Sequence, residues 1–61
     1  MINPTKLDIG RKVIYKKGTT MEEEGYINTY NTSFVFVVYT EKEVAQSKAT
    51  KREDLEWKWK K

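Results

Sequence analysis

The chain has no cysteine and no histidine. The first absence excludes disulfide staples, and together they exclude thiolate and imidazole metal sites. They also remove the usual thiol nucleophile and imidazole base, and no glycine-rich phosphate loop is present. There is one proline, Pro4, and it argues against a central strand near the N-terminus. No long hydrophobic run occurs. The longest is Phe34 to Tyr39, well short of the ~20 residues that span a bilayer. Residues 1–6 have no apolar stretch of the signal-peptide kind, so the expectation is a cytoplasmic protein with no membrane partner.

What remains is aromatic, β-branched and charged. Two Trp, four Tyr and two Phe stand among 61 residues. A chain of this length forms one domain, 1–61, and buries only about 60% of its unfolded surface. Large rings, each able to bury on the order of 150–250 Å², must therefore supply much of the core. A homodimer is the fallback if a monomer's core falls short. Twelve Lys/Arg against nine Asp/Glu leave a net charge of +3, which is compatible with nucleic acid without requiring it.

Turn-prone residues punctuate short β-like runs. Residues 1–7 read as an irregular arm. Asp8-Ile9-Gly10 turns into a first strand over 11–17, with Val13 and Tyr15 on one face. Gly18-Thr19-Thr20 is a loop. A second strand over 22–30 contains Gly25, which in a strand marks a bulge, a bend or a close backbone approach. Asn31-Thr32 is a hairpin turn. Residues 33–40 form the clearest strand, with Val35, Val37 and Tyr39 inward and Phe34, Phe36 and Val38 on a partly covered outer face. Residues 44–50 fit either a helical turn or a fourth strand, and the strand is the more economical. Lys51 to Asp54 is a helix-like turn. It feeds a last strand over 55–60, where Leu55, Trp57 and Trp59 recur at spacing two. The expected fold class is all-β: a small five-stranded SH3-like barrel with a short 3-10 turn before the last strand.

Several segments together carry a resemblance. They are Asp8-Ile9-Gly10-Arg11-Lys12-Val13-Ile14-Tyr15, Glu24-Gly25-Tyr26-Ile27, Phe34-Val35-Phe36-Val37-Val38-Tyr39, and Ala49-Thr50 leading to Leu55-Glu56-Trp57. In order and spacing the chain is similar to short bacteriophage and prophage proteins with an SH3-like or Tudor-like barrel. That resemblance implies a fold, a host or phage protein as partner, and neighbouring first and last strands. It carries over no catalytic residue and no cofactor.

Three surface features bear on function. Glu22-Glu23-Glu24 offers oxygens for a divalent cation, but nothing nearby completes a site, and an acidic edge that discourages strand pairing accounts for it. Arg11, Lys12, Lys16 and Lys17 in the first strand would meet Lys58, Lys60 and Lys61 in the last, forming a basic patch able to release counterions from a phosphate backbone. Of these, Arg11, Lys12, Lys16, Lys58 and Lys60 are the nucleic-acid candidates. Tyr26, Phe34, Phe36 and Trp59 are candidate protein contacts, and Tyr26, Tyr30, Phe36 and Trp59 are candidates for a cation–π cage. The reading is a non-enzymatic binding module acting on a protein. The alternative is nucleic-acid binding through the basic patch.

Overall fold

The computed structural model describes residues 1–40 and 46–59. It is an all-β domain: one five-stranded antiparallel sheet, with no α-helix among the described residues. The strands are β1 (Lys12–Tyr15), β2 (Glu23–Tyr30), β3 (Val35–Tyr39), β4 (Ser47–Thr50) and β5 (Leu55–Trp57). Their order across the sheet is β4-β3-β2-β1-β5. Short 3-10 turns at Lys6–Asp8 and Arg52–Asp54 precede β1 and β5. The expected barrel is met as far as this sheet. No ladder joins β4 to β5 among the described residues, so both stand as edges.

Alternation along the strands builds the core. Val13, Ile27, Val35, Val37, Tyr39 and Leu55 are buried on one face, and Tyr15, Tyr30 and Trp57 pack against them. Burying each aliphatic side chain is worth about 1.5–3 kcal/mol, so a few such residues decide whether the domain folds. Gly25 lies opposite Val13 on one side and Tyr39 on the other. A Cβ there would sit 2.6 Å from the Val38 carbonyl oxygen and 2.7 Å from Val37 Cγ1. Close approach is therefore the reason for this glycine. The bulge falls at Asn28, where the β2–β3 register slips between Ile27 and Thr29 and bends the longest strand.

The N-terminal arm is part of the fold. Ile2 is 1% exposed and belongs to the core, and its N–H donates to the Arg52 carbonyl. Thr5 caps the first 3-10 turn, and the buried Asp8 carboxylate accepts from the Thr5 N–H (2.7 Å) and hydroxyl (3.2 Å). Leu7 is 91% exposed, so it covers no apolar face.

Several strand boundaries differ from expectation: β1 covers Lys12–Tyr15 rather than 11–17, which leaves Lys16 and Lys17 in the turn that follows, β2 begins at Glu23 rather than at 22, and β3 covers Val35–Tyr39 rather than 33–40. β5 ends at Trp57 rather than at residue 60, and one further backbone bond, from Lys58 to Lys12 at the start of β1, follows it. Trp59 therefore leaves the alternation and is 64% exposed. The ambiguous stretch 44–50 is strand over Ser47–Thr50, and its first two residues lie outside the described residues.

Candidate functional site

The pairing of β1 with β5 brings part of the basic set together. The Lys58 N–H donates to the Lys12 carbonyl, which extends the ladder beyond Trp57. Between the two ammonium groups lies Glu24. Its Oε1 is 2.7 Å from Lys58 Nζ and 3.7 Å from Lys12 Nζ. The Lys58 hydrogen bond, helped by both positive charges and opposed by partial burial, holds the Glu24 carboxyl below its ordinary value. The acid that β2 supplies thus offsets part of the charge of Lys12 and Lys58.

The other basic candidates go elsewhere. The Arg11 guanidinium stacks 5.3 Å from the Trp57 ring centroid, with Nε 3.8 Å from Asp8. Lys16 has φ +46°, the left-handed region, and its ammonium stands 5.5 Å from the Tyr15 centroid. Lys60 and Lys61 lie outside the described residues. The carboxylate run diverges as well. Glu22 accepts from the Gly18 N–H and braces the β1–β2 loop, while Glu24 serves the lysines. Among the described residues, no group of three or more acidic side chains is placed to hold a metal ion.

The aromatic candidates separate into three places. Tyr26 and Phe36 are half-buried on the outer face, where Tyr26 stands between Lys12 and Val38 in register. Trp59 projects beyond β5, with the Lys58 ammonium 5.2 Å from its centroid. Tyr30 packs against the core. The four cage candidates thus form no common enclosure. Phe34, 37% exposed, sits just before β3 and joins a different feature.

That feature is an open groove of about 400 Å³ between the β1–β2 loop and β4. Tyr15 and Tyr39 form its aromatic part, edge to face with centroids 6.0 Å apart at 78°. Met21 and Phe34 add apolar surface, and Glu23 and Asp54 add carboxylates. Lys48 and Lys51 line the β4 side. Phe34 and Lys51 also border a second groove beside Arg52, so the two depressions adjoin. The Tyr39 hydroxyl is 2.8 Å from Thr50 Oγ1, which fixes the ring. Burial pushes this phenol up. The Thr50 hydrogen bond opposes that, while Tyr15, Glu23 and Asp54 reinforce it.

Of the groove residues, only Phe34 stood among the sequence candidates. Tyr15 and Tyr39 read as interior from their alternation. They are the last residues of β1 and β3, and an inward residue at a strand end sits at the margin of the core. That position was the available signal. Glu23 and Asp54 gave none, since an acidic run and a polar turn are ordinary surface.

Compared with protein-family models, curated proteins and solved structures, the chain matches none.

Proposed function

We propose that this chain is a non-enzymatic binding module of the phage or prophage type, with an SH3-like barrel, which grips a segment of a host or phage protein in the groove between the β1–β2 loop and β4. The barrel reading is supported by the strand order, which sets β5 beside β1, and by the 3-10 turn that enters β5. The observation that carries the binding reading is the groove itself: concave, aromatic-floored and rimmed by charge, in a domain whose other large rings are dispersed. Aromatic-lined grooves suit extended peptides, because rigid rings give contact area at small entropic cost.

Selecting short random peptides on the immobilised protein tests this. Enriched peptides whose binding falls in Phe34→Ala support the reading. A selection that yields nothing dependent on Phe34 counts against it.

The alternative reading, nucleic-acid binding, is favoured by one observation, the juxtaposition of Lys12 and Lys58 on the outer face. It ranks second because Glu24 occupies the space between them. Titration with single- and double-stranded oligonucleotides at two salt concentrations decides it. Steep salt dependence that is weakened by Lys12→Ala would promote this reading, and no binding at low salt would remove it.

A further inference from the structure

We infer that the groove selects a segment carrying a single lysine or arginine side chain, received between the Asp54 carboxylate and the Tyr15–Tyr39 ring pair. This rests on the groove being the binding site. Its warrant is the combination of shape, ring geometry and charge at one place. Asp54 closes the second 3-10 turn and lines the groove. Its backbone is held at both ends: its N–H donates to the Lys51 carbonyl at 3.1 Å, and its carbonyl accepts from the Lys16 N–H at 2.8 Å. The carboxylate is therefore presented from a fixed support, which lowers the cost of ordering on binding. Tyr39 is anchored through Thr50, and Tyr15 meets it edge to face. Tyrosine rings attract cations over their faces, and Tyr15 already holds the Lys16 ammonium at 5.5 Å.

Lysines near the carboxylate limit the number of charges, since Lys51 enters the same turn that Asp54 closes. Lys48 and Lys51 line the β4 side, both exposed, and the chain as a whole is net positive. A run of basic residues would place further cations against these lysines, and like charges brought together at an interface are penalised. One basic side chain directed toward Asp54, with neutral or acidic neighbours passing Lys48 and Lys51, suits this lining.

The test is peptide selection followed by titration of the enriched peptides, as synthetic amides, at about 0.15 M salt. The expected result is enrichment of sequences with one Lys or Arg. Binding should fall about 10- to 100-fold in Asp54→Asn, as for loss of a hydrogen bond to a charged group. It should stay unchanged in Lys12→Ala on the opposite face. Replacing the peptide's basic residue by norleucine should cost as much as Asp54→Asn, and the two changes should not add. Enriched peptides without a basic residue, or with binding insensitive to Asp54→Asn yet lost in Phe34→Ala, would overturn this inference and leave the groove reading standing. Peptides insensitive to Phe34→Ala would overturn both. Far-UV circular dichroism of each variant confirms that the fold is retained.

Discussion

Gly25 and Trp59 are the two residues where position overrules type. A glycine in a strand ordinarily weakens it, yet here backbone and side-chain atoms of β3 occupy the space a methyl group would need. Gly25→Ala should therefore destabilise the domain by about 1–3 kcal/mol despite the better strand propensity of alanine, as overpacking does. A urea melt with unchanged midpoint would contradict this. Trp59 is the reverse case, a large apolar ring outside the core. Trp59→Ala should shift stability by no more than about 0.5 kcal/mol, whereas Leu55→Ala, two strand positions before Trp57 and fully buried, should cost about 2–5 kcal/mol. Equal losses in the two variants would mean that the closing segment packs differently. The pairing of these residues by spacing was plain in the sequence. Where the strand stops was not, because that depends on pairing with a strand far away in the chain.

At the scale of elements, the central strands were the most legible. Phe34 to Tyr39 is nearly all β-branched or aromatic, and such a run has few alternatives to a buried strand. The N-terminal arm was much less so. Its role depends on contacts across the chain: Ile2 with the core, the Ile2 N–H with Arg52, and the terminal ammonium with Glu56 at 2.7 Å. A local signal did exist, in the three-residue step from Thr5 to Asp8 that makes a cap. Ile2→Ala should lower stability by about 2–5 kcal/mol, a large fraction of what so small a domain holds. A loss below about 0.5 kcal/mol would show the arm to be dispensable. The second 3-10 turn is likewise more than a connector. Arg52 donates from both terminal nitrogens to the carbonyls of Asn31 and Thr32, tying the β2–β3 turn to the entry of β5. That pairing of distant turns also shapes the wall that carries Asp54.

At the scale of the molecule, several of the described charges stand in opposed pairs, and this bears on both stability and partner choice. Glu24 is held below its ordinary value by Lys58 and Lys12, and Glu56 by the terminal ammonium. A carboxyl depressed in the folded state contributes stability above its unfolded value, here 4.5, and that contribution is lost as pH falls through the lower folded value. Tyr39 runs the other way. Its phenol is raised from 10.0, so its contribution is complete below that value and is lost as pH climbs through the higher folded value. Thermal melts should therefore show a plateau at neutral pH, with Tm falling below about pH 4.5 and above about pH 10. Glu24→Gln should flatten the acid limb, and an acid limb unchanged in that variant would contradict the ion-pair account. The same substitution frees Lys12 and Lys58, so it should raise affinity for polyanions at low salt.

The sequence-level basic patch was legible as composition and as strand position. The pairing of Lys12 and Lys58 with Glu24 was not, because Glu24 arrives from β2 by register alone. The groove was hidden for a related reason, since it joins the ends of β1 and β3 to β4 and a turn far along the chain. Backbone amide shifts of isotope-labelled protein, titrated with a peptide enriched by selection, test the groove most directly. Changes centred on Tyr15, Met21, Phe34, Tyr39 and Thr50 are the predicted result. Changes centred on Lys12, Tyr26, Phe36 and Lys58 would place binding on the outer face and contradict the account.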